Sequence, residues 1–135
     1  MGKKFIHPEQ LANFPKLFTQ VVTIKSGDTK TVYISGQVAI DREGRVVGQG
    51  DLGAQAAQVF ENLSLALGSA GAKPEDVVKL NIYVVNMKPE DGKTVGLARK
   101  KWFNQENLPA STMVGVVSLA ASDFLLEVEA IAVVG

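Results

Sequence analysis

The fold of this chain is decided in residues 51–71, which read DLGAQAAQVFENLSLALGSAG. Seven apolar side chains recur there at the three- and four-residue spacing of an α-helix with one buried face. They are Leu52, Ala56, Val59, Leu63, Ala66, Leu67 and Ala70. Asp51 suits the N-cap of a helix, and Gly71 suits a C-terminal stop. The pattern therefore predicts a helix that begins just after Asp51 and ends near Gly71.

A strand is predicted directly after this helix, over residues 77–85, which read VVKLNIYVV. Apolar side chains alternate there with more polar ones, as in a strand with one buried face. The set predicted to face the helix is Leu80, Ile82 and Val84. The opposite face is predicted to carry Val77, Tyr83 and Val85.

The rest of the C-terminal half is predicted as one helix and two strands. The second helix covers residues 89–105, although Gly92 and Gly96 weaken its pattern. The two closing strands cover residues 111–117 and 125–134.

The N-terminal part is predicted as a β-hairpin. Residues 18–24 and 31–35 are rich in β-branched and aromatic side chains, and Ser26-Gly27-Asp28 between them has the composition of a turn. The predicted order is β-β-α-β-α-β-β, an α+β class, in a single domain over residues 1–135. Because strand–helix–strand crossovers in one sheet are nearly always right-handed, both helices are expected on the same face.

The other face of the sheet has a mixed character. The last strand puts Leu126 and Val128 on one side and Glu127, Glu129 and Ile131 on the other. Such a face is too apolar for open water and too polar for the core of a monomer, which predicts contact between subunits.

Composition excludes several classes of function. The chain has no cysteine and one histidine, so disulfides, thiolate metal sites and histidine-pair chemistry are not expected, and neither a metal nor another cofactor is predicted. With 14 basic and 14 acidic residues the net charge is zero, which makes nucleic acid an unfavourable partner. No apolar run approaches the roughly 20 residues that cross a bilayer. The N-terminus lacks the pattern of a signal peptide, so a cytoplasmic location and no membrane partner are expected.

Residues 48–53, GQGDLG, fit the dinucleotide-binding pattern G-x-G-x-x-G. The carboxylate of Asp51 would lie where a pyrophosphate meets the helix N-terminus and would repel it. A turn followed by an N-cap is therefore the favoured interpretation.

Two groups of polar residues are candidates for chemistry. Glu127 and Glu129 lie on one strand face and suit acid/base catalysis if one is desolvated, or else they are solvated or paired at an interface. Ser111 and Thr112 are interpreted as hydrogen-bonding groups for a ligand, because no base is identifiably placed to activate them as nucleophiles. The aromatic Trp102 is interpreted as part of the core.

Several segments together resemble the RidA family, also called the YjgF or L-PSP family. The central ones are QAAQVFENL at 55–63, GSAG at 68–71 and VVKLNIYV at 77–84. Three further segments fall in the family's order: SGQ at 35–37, PA at 109–110 and EVEAIA at 127–132. The resemblance covers the chain from about Phe14 to its end.

The resemblance implies a chorismate-mutase-like fold and a homotrimer. In that assembly the three sheets form a central barrel, the helices lie outside, and small molecules bind in clefts between neighbouring subunits. Some members of the family hydrolyse reactive imines and enamines produced by pyridoxal-phosphate enzymes. The resemblance thus implies a small-molecule ligand held between subunits.

One position departs from the family's pattern. Members that act on imines share a Pro-Ala-Arg-Ser motif whose arginine grips the substrate carboxylate, and here the motif reads Pro109-Ala110-Ser111-Thr112. A hydroxyl cannot reproduce the two-point grip of a guanidinium. Its loss costs roughly 1.5 to 3 kcal/mol, or about ten- to a hundredfold and more in binding. Typical 2-imino-acid deaminase activity is therefore not expected unless another cation, such as Arg99, Lys100 or Lys101, substitutes.

The other cleft residues implied by the resemblance carry over better than the arginine does. Glu127 matches the glutamate that positions the attacking water and is the predicted catalytic residue. The predicted ligand-binding residues are Phe18, Ser35, Gly36, Ser111, Thr112 and Met113. Phe18 stands near the family's pocket tyrosine.

Three hypotheses for function remain open. The leading one is a trimer that binds a small carbonyl- or imine-containing metabolite in interface clefts, with water addition assisted by Glu127 as any catalysis. The second keeps imine deamination with a different cation. The third is a ribonuclease or translation-inhibitor activity, which the zero net charge and the lack of a histidine pair disfavour.

Overall fold

The chain folds into one six-stranded sheet with two helices, as described by a computed structural model for residues 2–135. The elements in chain order are β1 (Gly2–Ile6), β2 (Val21–Ser26), β3 (Thr29–Gln37), α1 (Leu52–Ser69), β4 (Val77–Val85), α2 (Pro89–Lys100), β5 (Ala110–Val116) and β6 (Leu126–Val134). A short 3-10 turn, Pro74–Asp76, precedes β4. None of these helices is long and apolar enough to cross a membrane.

The sheet has the strand order β1-β2-β3-β6-β4-β5. Strands β4 and β5 pair in parallel, and all other neighbours are antiparallel. Helix α1 connects β3 to β4 across the intervening β6, and α2 connects the neighbours β4 and β5. Both helices pack on the same face and against each other, which confirms the predicted α+β class.

Helix α1 forms as its sequence predicts. The Asp51 carboxylate accepts a hydrogen bond from the Ala54 backbone N–H at 3.0 Å, and Gly71 has the positive φ of 72° that stops a helix cheaply. Its buried stripe, which includes Phe60 and Leu63, covers the centre of the sheet. The GQGDLG segment forms a turn that ends at the N-cap Asp51 and runs into the first residues of α1, in agreement with the favoured interpretation.

Strand β1 was not predicted. Gly2–Ile6 pairs antiparallel with β2 at the sheet's edge, so the structure has one strand more than the predicted order. Most of its side chains are exposed, and therefore no alternation of apolar and polar residues marks it in the sequence. The first hairpin strand also begins at Val21, three residues later than predicted, because Phe18 belongs to a turn.

Helix α2 ends at Lys100 and not at Gln105. Beyond it the chain turns, and the backbone N–H groups of Trp102 and Phe103 both donate to the carbonyl of Arg99, at 3.0 and 2.9 Å. Phe103 is buried and packs edge-on against Phe60, with ring centroids 6.3 Å apart. Burying this ring takes the chain away from the helix axis.

The predicted orientation of Val77 is wrong. Val77 opposes Ala132 and Lys79 opposes Ile131, so an irregularity at Val78 shifts the register of β4 against β6. Because the alternation is interrupted there, Val77 is 4% exposed on the helix face while Val78 is 47% exposed. Tyr83 does lie on the opposite face, as predicted.

The face of the sheet opposite the helices carries no covering element within residues 2–135. We call it the open face. It is mixed in character, as predicted, and includes Tyr33, Ile131, Val133, Asn81 and Glu129.

Candidate functional site

A cleft of about 540 Å³ lies beside the open face, where the loop before β2 approaches β3 and β6. Four of the predicted site residues line it: Phe18, Ser35, Gly36 and Glu127. The other lining residues are apolar, namely Phe14, Leu17, Val38, Ile40, Ala120, Ala121 and Phe124. The cleft is therefore a largely hydrophobic wall around one carboxylate.

The outer wall of the cleft is a compact turn built on two phenylalanines. The backbone N–H groups of Leu17 and Phe18 donate to the Phe14 carbonyl, at 2.8 and 3.1 Å. The rings of Phe14 and Phe18 pack in a tilted arrangement with centroids 5.8 Å apart. Phe18, which was predicted from the resemblance, thus contributes a ring to the cleft.

Hydrogen bonds from buried glutamines hold this turn against the sheet. The Gln20 side chain donates to the Ala12 carbonyl at 2.8 Å, and Gln37 Nε2 donates to Gln20 Oε1 at 2.8 Å. The Ser35 hydroxyl donates to the Thr19 carbonyl at 2.6 Å. Ser35 therefore fixes the cleft wall, and its oxygen retains acceptor capacity toward a ligand.

Glu127 lies over Gly36, and this contact places the carboxylate at the cleft. A Cβ atom built on Gly36 would come within 2.6 Å of Glu127 Cδ, closer than real contacts allow. The absence of a side chain at position 36 therefore makes room for the carboxylate. The register of β3 against β6 is irregular between Ile34 and Gln37, which brings Gly36 under Glu127.

The electrostatic environment of Glu127 favours its protonated form. Burial raises the pKa of Glu127 above the ordinary value of 4.5, and the negative charge of Glu129 raises it further. Asn81 Nδ2 donates a hydrogen bond to Glu129 Oε2 at 3.1 Å. Burial, together with both carboxylates, also raises the pKa of Tyr83.

The strand that carries Glu127 is anchored by Gln55, which is fully buried. Its amide donates to the carbonyls of Gly48 and Asp123, and its oxygen accepts from the Leu125 backbone N–H at 2.9 Å. Three backbone groups that have no partner in the sheet are thereby satisfied. This side chain ties the start of α1 to the start of β6.

Ser111, Thr112 and Met113 do not line this cleft in a single chain. They lie on β5, the opposite edge strand of the sheet. Ser111 and Met113 are on the helix side, in register with the buried Leu80 and Ile82, and Thr112 is on the open face. Thr112 accepts a hydrogen bond from Lys79 Nζ at 2.9 Å. Ser111 and Glu127 therefore share no cavity unless a second chain brings its β5 to the cleft.

The Ser111 hydroxyl has a cationic neighbour, Arg99. The sequence alone did not distinguish Arg99 from Lys100 and Lys101 as the cation near this position. Arg99 Nη1 donates to Ser111 Oγ at 3.3 Å, from the last turn of α2. Lys100 and Lys101 are exposed and make no hydrogen bond to β5.

Sequence reasoning also did not assign the roles of Gln20, Gln37 and Gln55. A polar residue inside the apolar stripe of α1 is the signal that could have marked Gln55 as buried and bonded. No comparable signal links Gln20 with Gln37, because their pairing depends on the tertiary structure.

A second groove, of about 700 Å³, lies at the far end of the sheet between β1, β2 and the end of α1. Its polar lining is dominated by Lys3, Lys4, Lys25 and Lys30. None of the predicted site residues lies in it.

Comparison with known proteins places the chain in a family. The family described as Endoribonuclease L-PSP matches residues 15–134. A 2-iminobutanoate/2-iminopropanoate deaminase of Dermatophagoides farinae is 34% identical over 104 residues, which are 77% of this chain and 78% of the relative. A RutC family protein of Pyrococcus abyssi is 35% identical over 132 residues, 98% of each chain.

The fold is shared with solved structures. The crystal structure of E. coli TdcF with bound serine superposes with a TM-score of 0.81 at 26% identity, and the match covers 98% of this chain and 99% of that one. The family match spans nearly all of the chain and includes the cleft residues from Phe18 to Glu127. The chain therefore belongs to the Endoribonuclease L-PSP family, the family of RidA and the imine deaminases.

Proposed function

We propose that the chain forms a homotrimer that binds a small imine- or carbonyl-containing metabolite between subunits, and that it adds water to the C=N bond when the metabolite is an imine. The observation that carries this proposal is the half-buried Glu127 carboxylate, seated over Gly36 in a hydrophobic cleft. A desolvated carboxylate of raised pKa accepts a proton more readily than an ordinary glutamate does.

The chemistry needs one proton-transferring group and a bound water. Glu127 accepts a proton from the water as its oxygen bonds to the imine carbon, and it returns a proton to the nitrogen. Glu127 then takes the hydroxyl proton of the resulting carbinolamine and delivers it to the nitrogen as the C–N bond breaks, which releases ammonia and leaves the carbonyl product. Water and imine are the only reactants, so no redox partner is required. The walls around Phe14 and Phe18 are apolar, and covering them with a second copy would exclude competing bulk water.

The incomplete site in one chain supports the oligomeric part of the proposal. Glu127 lies on β6 inside the sheet, whereas the hydroxyls of Ser111 and Thr112 lie on the edge strand β5. An uncovered sheet face with exposed Tyr33 and Val133 is a surface that a second copy can bury. Packing the β5 edge of one copy against the cleft of another would unite the predicted residues.

The relatives support the reaction class. Curated relatives at 34% identity and above include 2-iminobutanoate/2-iminopropanoate deaminases, and a structure of the same fold holds serine. The three molecules named are small, and each carries an amino or imino nitrogen.

The test is ammonia release from imines generated in place by an L-amino-acid oxidase. The wild-type protein should accelerate ammonia release, and Glu127→Gln should slow the accelerated reaction by about a hundredfold or more, as expected for loss of a general base. Glu61→Gln on the exposed face of α1 is the matched control and should leave the rate unchanged. No acceleration by the wild type, or an unchanged rate in Glu127→Gln, would contradict the proposal.

The ribonuclease hypothesis has a separate readout in the same preparation. Incubation with messenger RNA should leave the RNA intact, because the chain has a net charge of zero and only His7 as an imidazole. Cleavage that disappears in Glu127→Gln would favour that hypothesis instead.

A further inference from the structure

Three lysines from three neighbouring strands line the second groove, beside the end of α1. They are Lys4 of β1, Lys25 of β2 and Lys30 of β3. Thr23 pairs with the buried core residue Val32 and with Lys4, so its side chain lies on the helix face of the sheet. Lys25 and Lys30 pair two residues further along and lie on the same face. We call Lys4, Thr23, Lys25 and Lys30 together the lysine groove.

The lysine groove holds positive charge that the described chain does not balance. Lys25 and Lys30 lie directly opposite each other on adjacent antiparallel strands, where like charges destabilise a sheet. In residues 2–135 both ion pairs belong to Arg45, so no carboxylate lies within 4.0 Å of these lysines. Asp28 lines the groove but forms no ion pair with them. An anion that entered the groove would relieve this repulsion.

A buried hydroxyl faces the same groove without a partner. Thr23 is 3% exposed, lines the groove and makes no side-chain hydrogen bond within residues 2–135. The side-chain atom that is sealed off without a partner in this part of the chain is Asn13 Oδ1, so the Thr23 hydroxyl retains access to the groove. Because polar groups buried this deeply are ordinarily hydrogen-bonded, the hydroxyl is available to an oxygen of a ligand.

Lys30 is positioned by the end of α1. Its ammonium group donates to the carbonyl of Ala70, the C-cap residue of the helix. The ammonium thereby offsets the partial negative charge of the helix end. An ammonium has three N–H donors, so two remain for a ligand. Lys4 and Lys25 are exposed, which leaves their side chains free to contact the same ligand.

We propose that the lysine groove is a binding site for small phosphate monoesters that carry an apolar or planar body. Ammonium groups act as point charges, which suit a phosphate, whereas the two-point fork of a carboxylate site is absent. Three ammonium groups match the roughly two negative charges of a monoester better than the single charge of a diester. Ile6, Ala70 and Val134 supply apolar lining for the rest of the molecule. The groove's volume of about 700 Å³ is typical of sites that hold whole organic ligands.

The lysine groove is separate from the cleft around Glu127. No residue lines both of them. The lysine groove lies on the helix face, so the subunit contact proposed for the open face leaves it accessible. The inference therefore goes beyond the proposed function and does not depend on it.

The test is isothermal titration calorimetry of the full chain with AMP as the phosphate monoester. AMP should bind about tenfold or more tightly than adenosine, which has the same body without the charge. It should also bind more tightly than cyclic AMP, whose diester carries one charge, and than inorganic phosphate, which lacks the apolar body. AMP that binds no more tightly than any one of these three probes would overturn the assignment.

Variants locate the site within the chain. Lys25→Gln should weaken AMP binding by about tenfold or more, because a charge-assisted contact is lost. Thr23→Val keeps the shape of the side chain and removes the hydroxyl, so it should weaken binding by about two- to tenfold. Lys93→Gln removes the same charge from an exposed position of α2 and is the matched control, which should bind AMP as the wild type does. Unchanged binding in Lys25→Gln, or an equal loss in Lys93→Gln, would contradict the site.

Thermal unfolding of the ligand-free protein checks the charge argument separately. Lys25→Gln removes one member of a like-charge pair, so its melting temperature should rise by about 1 to 4 °C. A rise together with weaker AMP binding also excludes damage to the fold as the cause of the weaker binding. A lower melting temperature in Lys25→Gln would show that the lysine pair is compensated within the chain, and the inference would fail.

Discussion

At the scale of single residues, the proton affinity of Glu127 controls the pH range of the proposed reaction. Burial and the charge of Glu129 both raise the pKa of Glu127. As the solution is acidified, Glu127 therefore becomes protonated at a higher pH than an ordinary glutamate does. The same shift implies that ionising Glu127 costs folding stability: its stabilising contribution is fully present below the ordinary pKa of 4.5, declines above it, and is lost once the pH has risen through the raised pKa.

Removing the charge of Glu129 should extend activity toward acid. In Glu129→Gln the smaller of the two causes of the raised pKa of Glu127 disappears, while burial remains. The acid limb of the pH–rate profile should move to lower pH, and the plateau rate should stay similar. Rates of ammonia release measured across the acid range check this, with Glu61→Gln as the control. A limb that moves to higher pH, or stays in place, would exclude Glu127 as the titrating group.

Most of the cleft residues around Glu127 could be predicted at this scale, but the contact between Arg99 and Ser111 could not. Glu127, Gly36, Ser35 and Phe18 sit in segments whose order along the chain resembles a known family. Whether Arg99 or a neighbouring lysine reaches Ser111 depends on the rotation of α2 about its axis. That rotation depends on how α2 packs against α1 through its buried Val95, which no local pattern reveals.

At the scale of secondary structure elements, the fit of β3 against β6 positions the carboxylate. The irregular register between Ile34 and Gln37 brings Gly36 beneath Glu127. Since the atoms that a Cβ would meet are the far end of a flexible side chain, substitution moves the carboxylate more readily than the backbone.

Gly36→Ala should therefore impair catalysis without unfolding the protein. The φ angle at Gly36 is in a range open to alanine, so backbone strain is not expected. The displaced Glu127 carboxylate should lower the rate of ammonia release by about tenfold to a hundredfold. Thermal unfolding should change by only a few degrees. Gly96→Ala on α2, where an added Cβ meets nothing within 4 Å, is the matched control. Wild-type activity in Gly36→Ala would show that the position of Glu127 is not critical.

Elements whose apolar residues recur at a regular helical or strand spacing could be predicted, and the others could not. Helix α1 could be predicted from its apolar stripe, its N-cap residue and the glycine at its C-terminal end. Strand β1 has no buried face. The register shift at Val78 changes which residues of β4 face the helices, and nothing in the amino-acid sequence marks this shift. In both places the pairing partner, not the local sequence, decides the outcome.

At the scale of the whole molecule, the open face decides whether a complete site can form. Tyr33 is 43% exposed in the single chain and neighbours Val22 and Ile131 across the adjacent strands. A charge at this position is solvated in an isolated subunit, but it would be desolvated if three sheets enclose a barrel. The oligomeric state is therefore sensitive to a substitution that the fold of one subunit tolerates.

Tyr33→Asp should convert a trimer into monomers and abolish imine hydrolysis. Sedimentation velocity should give the wild type three times the chain mass of 14.4 kDa and the variant one chain mass. Leu97→Asp places the same charge on an exposed, 60% accessible position of α2 and should remain trimeric and active. Far-ultraviolet circular dichroism should show that both variants keep their secondary structure. Because Glu127 and β5 of one chain share no cavity, a monomeric Tyr33→Asp that retained full activity would mean that catalysis needs neither the second copy nor the hydroxyl of Ser111.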